Sequence, residues 1–88
     1  MQSNYITNET NSRFSTYDLG LAAALITHGF ELAEMDRANP KRVLFTFQRS
    51  HSELEKTINE YLTDQLRLPA RRFFDDVRAL KNRLHDAR

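Results

Sequence analysis

The stretch Thr16-Tyr17-Asp18-Leu19-Gly20-Leu21-Ala22-Ala23-Ala24-Leu25-Ile26-Thr27-His28-Gly29-Phe30 decides the fold. Asp18 places a short carboxylate directly before apolar residues at helical spacing. It therefore reads as an N-cap that accepts a hydrogen bond from the free amides of the next turn. Leu19, Ala22, Ala23 and Ile26 share one face at intervals of three, four and seven. Leu21 and Leu25 lie opposite, and a helix apolar on two sides is buried on two sides. Gly29 follows as the residue best suited to a left-handed C-terminal cap. A helix from about Leu19 to His28 is thus expected in the middle of the core.

Toward the N-terminus, Phe14, Thr16 and Tyr17 are good strand formers, so Arg13 to Tyr17 reads as a strand. Residues 1–12 are polar and rich in Asn and Thr, and read as a loose arm, with Tyr5-Ile6-Thr7 as a candidate edge strand. Toward the C-terminus, Phe30 to Asp36 and Arg42 to Gln48 read as an antiparallel hairpin. Arg37-Ala38-Asn39-Pro40-Lys41 is the expected turn, with Pro40 fixing φ. Val43, Phe45 and Phe47 alternate with Leu44, Thr46 and Gln48, which puts three large apolar groups on one face.

Ser50-His51-Ser52-Glu53 has the spacing of a capping box. The helix it opens is expected to reach about Leu66, with Leu54, Ile58, Tyr61, Leu62 and Leu66 inward. Pro69 suits the first turn of a last helix, ending near Asp86. Phe73, Val77, Leu80 and Leu84 form its apolar stripe. The result is an α+β fold of order β-α-β-β-α-α, a small three-stranded sheet packed with helices, forming one domain over residues 13–88. A right-handed crossover through the first helix would set strands one and two parallel, with strand three between them. The first helix is expected on one face, with the other two on that face or around an edge. Such a sheet leaves edges and an open, apolar face, so a homodimer is expected to cover one of them.

Composition narrows the function classes. Eighty-eight residues hold one modest core, and 40% hydrophobic with 28% charged residues is a globular balance. Without Cys there is no disulfide framework, thiolate metal site or thiol nucleophile, which fits a cytoplasmic protein. No apolar run is long enough for a membrane span. Met1-Gln2-Ser3-Asn4-Tyr5-Ile6 lacks the charged start and apolar core of a leader. The net charge is +1, but residues 1–40 carry −3 and residues 41–88 carry +4, so the chain is polarised from front to back.

No constellation supports catalysis or a cofactor. His28, His51 and His85 have no metal-ligand spacing and read as surface or helix-end residues. Asp75 and Asp76 point about 100° apart on a helix and cannot share a substrate. They read instead as i,i+4 partners of Arg71 and Arg72. Glu31 and Glu34 fall on opposite strand faces. Gly20 and Gly29 stand alone, without a phosphate-cradling loop. Lys41-Arg42-Val43-Leu44-Phe45-Thr46-Phe47 has the aromatic alternation of base-stacking strands in RNA-recognition domains. It lacks their glycines, however, and the alternation is also that of a strand facing a core.

The last helix carries the functional reading. Arg71, Arg78 and His85 recur every seven residues and stay within about 40° on the helix. Lys81 flanks them, with Phe74 beside it at the margin of the core face. Arg67, Arg72, Arg83 and Arg88 add charge nearby, so that residues 66–88 sum to +4. Arg71, Arg72, Arg78, Lys81 and Arg83 are the candidate phosphate contacts, with Lys41 and Arg42 as an extension. The plain alternative is a solvated face neutralised by Asp75, Asp76 and Asp86. The expected role is a non-catalytic accessory protein that binds nucleic acid or a nucleoprotein complex. The other reading is a protein–protein adaptor or inhibitor whose C-terminal helices present Phe74, Tyr61 and arginines.

Thr16-Tyr17-Asp18-Leu19-Gly20-Leu21-Ala22-Ala23-Ala24-Leu25, Gly29-Phe30, Arg42-Val43-Leu44-Phe45-Thr46-Phe47, Ala70-Arg71-Arg72-Phe73-Phe74 and Leu80-Lys81 together resemble a family of small bacterial, phage and plasmid proteins of unknown function. The resemblance spans roughly residues 14–84 and leaves the arm outside. It implies occurrence in bacteria and mobile elements and lends no catalytic residues.

Overall fold

Helix α1, Leu19–His28, is the centre of the molecule. In the computed structural model, which describes residues 13–39, 41–48 and 52–86, Leu21, Ala22, Ala23, Ala24 and Leu25 are all buried. Both sides of the helix are therefore covered, as its two-sided apolarity requires. Its ends form as the sequence indicates. The Asp18 carboxylate accepts from the amide of Leu21 at 3.1 Å. The Thr16 hydroxyl accepts from the amide of Asp18 at 3.0 Å, which fixes the entry from the preceding strand. At the other end Gly29 takes a φ of 121°. Its amide donates to Ile26 O, and that of Phe30 to Leu25 O, a paired closure that satisfies the last carbonyls.

Around this helix lie β1 (Arg13–Thr16), β2 (Leu32–Asn39), β3 (Arg42–Gln48), α2 (Ser52–Leu62) and α3 (Ala70–Asp86). The three strands form one sheet in the order β1-β3-β2. Because β3 pairs antiparallel with both neighbours, β1 and β2 run parallel on either side of it. Phe14 stands opposite Phe47, and Leu32 flanks Phe47 from the other edge. Phe14, Phe45 and Phe47 are buried with Leu21 and Leu25 of α1, Leu54 and Ile58 of α2 and Leu80 of α3 in one cluster. All three helices therefore serve the same sheet face, and Phe45 and Phe47 have the packing role, with no ring surface left to stack a base. The helix α1 packs against both α2 and α3, most extensively α3. Its alanines let the helix backbones come close.

The opposite sheet face is mostly polar among the described residues, with Leu44 as an apolar member. The Ser15 and Thr46 hydroxyls share a 2.8 Å hydrogen bond. Arg13 approaches Glu34 at 4.0 Å, and Gln48 is exposed. The open apolar face expected from sequence is thus corrected, because β3 alternates Phe45 and Phe47 inward with Thr46 and Gln48 outward.

Several boundaries differ from the sequence reading. The strand β2 begins at Leu32 and runs through Arg37, Ala38 and Asn39, which were expected as turn. Register shifts between Leu32 and Glu34 and between Asp36 and Asn39 let this edge strand continue. The carboxylate of Asp36 accepts from the amide of Ala38, and the side-chain oxygen of Asn39 from that of Lys41, both at 2.9 Å. Pro40, the Ser50-His51 part of the expected capping box and the N-terminal arm lie outside the described residues. Helix α2 stops at Leu62, short of Leu66. The cause is Asp64, whose φ of 63° leaves the helical region. Its amide donates to Tyr61 O while that of Gln65 donates to Glu60 O, the same closure that Gly29 makes on α1. Leu62 is in consequence 54% exposed, not inward. Helix α3 starts at Ala70, and Pro69 precedes it, its carbonyl accepting from Phe73 at 3.0 Å.

Candidate nucleic-acid interface on α3

Three members of the expected α3 stripe meet the core, and Leu84 is half-buried. Leu80 is buried, and Phe73 and Val77 pack against the core. The rotation of the helix is fixed by this stripe and by one polar contact. The Thr27 hydroxyl of α1 lies 2.7 Å from the carboxylate of Asp76 and 2.9 Å from Ala23 O. Asp76 is therefore turned toward α1, and the expected Arg72–Asp76 pair is corrected. Among the described residues neither that pair nor Arg71–Asp75 closes to ion-pair distance. A further tie holds the C-terminal end, where Arg37 donates from Nη2 to Arg83 O at 3.0 Å. A cation there complements the last carbonyls of the helix.

With the core stripe inward, Arg71, Arg72, Arg78, Lys81 and Arg83 are all exposed. They do not form one patch. At about 100° per residue, Arg71, Phe74, Arg78 and Lys81 fall within about 80° on one flank. Arg72 and Arg83 lie about 100° or more away from Arg71 on the flank that carries Asp76, with Asp75 and Ala79 between the two groups. On the first flank Phe74 is 57% exposed. The Arg78 guanidinium sits 5.4 Å from its ring centroid. His85 is exposed on the same flank.

Lys41 and Arg42 do not extend this surface. Both are exposed, but Arg42 shares a sheet face with Leu44, Thr46 and Gln48, the face away from α3. Its guanidinium lies 3.9 Å from the ring centroid of Tyr17. A small cleft of about 80 Å³ there is lined by Tyr17, Asp36, Arg42 and Leu44.

A larger groove, about 570 Å³, opens where α2 hands over to α3. Tyr61, Leu66, Leu68, Ala70 and Phe73 line it, with Asp64 at its edge. The phenol of Tyr61 is held above its ordinary pKa of 10.0, first by burial and then by the nearby Asp18 carboxylate. Sequence reading missed this groove, because it arises from the stop at Asp64. It also missed the role of Arg37, which it placed in a turn. His28 stacks on Phe30 at 5.4 Å between centroids. Among the described residues no group of three acidic, His or Cys side chains could hold a metal ion, and no helix is long and apolar enough to cross a membrane.

A family described as a domain of unknown function, DUF5659, matches residues 11–86. The chain belongs to the DUF5659 family. The match takes in every strand and helix among the described residues, so the α3 surface is part of the DUF5659 domain and not an appendage to it. No curated protein and no solved structure matches the chain.

Proposed function

We propose that this DUF5659 protein is a non-catalytic accessory protein that binds nucleic acid, alone or within a nucleoprotein complex, through the outer surface of α3. The observation that carries the reading is the first flank of that helix. Arg71, Arg78 and Lys81 are exposed there with no carboxylate within ion-pair distance among the described residues. Cations left unneutralised on one side of a rigid rod suit a row of phosphates, and their release of counterions makes binding salt-dependent. Arg72 and Arg83, on the other flank, lie outside this row and add only to the general positive field. The proposed setting is the cytoplasm of bacteria or their mobile elements, as the family resemblance implies. A homodimer remains part of the proposal on the narrower ground that β1 and β2 are the sheet edges among the described residues.

Fluorescence anisotropy with labelled DNA and RNA oligonucleotides tests the reading. Association at low salt that weakens linearly in log Kd against log salt is expected. Absence of binding to both at low salt would remove it. The exposed Phe74 beside Arg78 also favours the adaptor reading, since aromatics and Arg are frequent interface anchors. That alternative requires a protein partner whose affinity is insensitive to salt.

A further inference from the structure

Phe73 and Phe74 are neighbours with opposite fates. Phe73 packs on the core, whereas Phe74 is 57% exposed. It lies in the middle of the cationic flank, with the Arg78 guanidinium over the ring at 5.4 Å from its centroid. Ala70, Phe74 and Arg78 succeed one another at i,i+4 spacing and so stand in one line on α3. Ala70 is also a wall of the groove with Tyr61, Leu66, Leu68 and Phe73. The flank therefore runs from an apolar groove, across an exposed aromatic ring, to Arg78 and Lys81.

We infer that the α3 flank selects single-stranded over duplex nucleic acid, with an unstacked base laid on Phe74 and the adjoining phosphates held by Arg71, Arg78 and Lys81. This rests on the α3 reading above and adds the substrate class. In a duplex the bases are stacked on one another, and an exposed Phe finds little but a thymine methyl at the groove edge. In a single strand every base offers a π-face, and stacking on an aromatic ring tolerates any sequence. The Arg78 guanidinium beside the ring supplies a second planar surface and a charge for the following phosphate. The groove at the Ala70 end has room for a further base or sugar beside the phenol of Tyr61.

The test uses the full chain with a labelled 20-nucleotide single strand and a duplex of the same length at one salt concentration. The single strand is expected to bind at least about tenfold more tightly. Phe74→Ala is expected to weaken it by roughly five- to a hundredfold, the range of one lost stacking contact, with the salt slope unchanged. Phe74→Trp should retain the affinity, and Arg78→Ala should lower both affinity and salt slope. Phe74 is exposed, so these variants keep the core intact. Duplex binding as tight as single-strand binding, or a Phe74→Ala protein with unchanged single-strand affinity, overturns the stacking inference while leaving the α3 reading in place. Failure of both probes to bind removes the reading itself. Loss of a dimer in Phe74→Ala, seen by light scattering, would assign the ring to a second copy of the chain and overturn the inference.

Discussion

The Thr27 hydroxyl on α1 and the Asp76 carboxylate on α3 lie 2.7 Å apart, 49 residues distant in the chain. This contact ties the central helix to the one that bears the proposed interface. It also draws Asp76 away from Arg72, so that the arginine keeps its charge unshared. Hydrogen bonds to charged groups contribute more than neutral ones. Thr27→Val and Asp76→Ala are each expected to cost about 1–2 kcal/mol in urea unfolding, with the double variant less destabilised than the sum. Arg72→Ala is expected to stay within about 0.5 kcal/mol.

Gly20 and Tyr61 form a second cross-helix relationship. A Cβ placed on Gly20 would stand 2.6 Å from the Tyr61 hydroxyl oxygen, 3.3 Å from the Asp18 Oδ1 atom and 3.8 Å from the ring carbon that carries the Tyr61 hydroxyl. Gly20→Ala should therefore destabilise the wild-type chain despite the better helix propensity of Ala. In a Tyr61→Phe background the nearest obstruction is gone and only the Asp18 carboxylate oxygen, at 3.3 Å, must give, so the same change should cost less than in wild type. A smaller loss from Gly20→Ala in the Tyr61→Phe background than in wild type, in thermal or urea unfolding, is the expected result.

Tyr61 also sets a dependence at high pH. Its folded-state pKa is raised above 10.0 by burial and by Asp18, so between the unfolded and folded values the native state holds a proton that the unfolded chain has lost. Stability from this group is full below pH 10 and declines as pH rises through the folded value. Tyr61→Phe should flatten that decline, and an ultraviolet titration of the phenolate should show one group that ionises later in wild type than in the urea-unfolded chain.

Asp64 holds a left-handed φ of 63° to close α2. An L-residue pays for that conformation and Gly does not. Asp64→Gly is expected to raise stability by roughly 0.5–1 kcal/mol without altering α2 content by circular dichroism.

What could be read beforehand follows from how local each signal is. Asp18 and Gly29 bracket α1 in the sequence, and the cap bonds they make span only a few residues, so the helix limits of Leu19 and His28 were legible. The alternation of Val43, Phe45 and Phe47 likewise fixed β3 and the side it buries. The end of α2 was not legible. Leu62 and Leu66 continue the apolar spacing through the stop, and Asp64 is not a residue usually expected in that cap. The strand β2 was cut short because Asn39-Pro40 looks like a turn, whereas here the side chains of Asp36 and Asn39 bond the amides of Ala38 and Lys41 at irregularities in and just beyond the strand. For the site, the exposure of the α3 cations was legible from the opposite apolar stripe. Their division into two flanks was legible in part, from helical angles. The capture of Asp76 by Thr27 and of Arg83 O by Arg37 was not, since each needs a partner more than forty residues away.

The measurement that bears most directly on the interface compares two sets of charge-removing variants by anisotropy with a labelled single strand across a salt series. One set is Arg71→Gln, Arg78→Gln and Lys81→Gln together, on the Phe74 flank. The other is Arg72→Gln with Arg83→Gln, on the flank of Asp76. Loss of more than about tenfold in affinity and a salt slope reduced by about 2 are expected for the first set, with losses within about threefold for the second. Equal losses in the two sets, or wild-type affinity in the first, would contradict binding through this flank of α3.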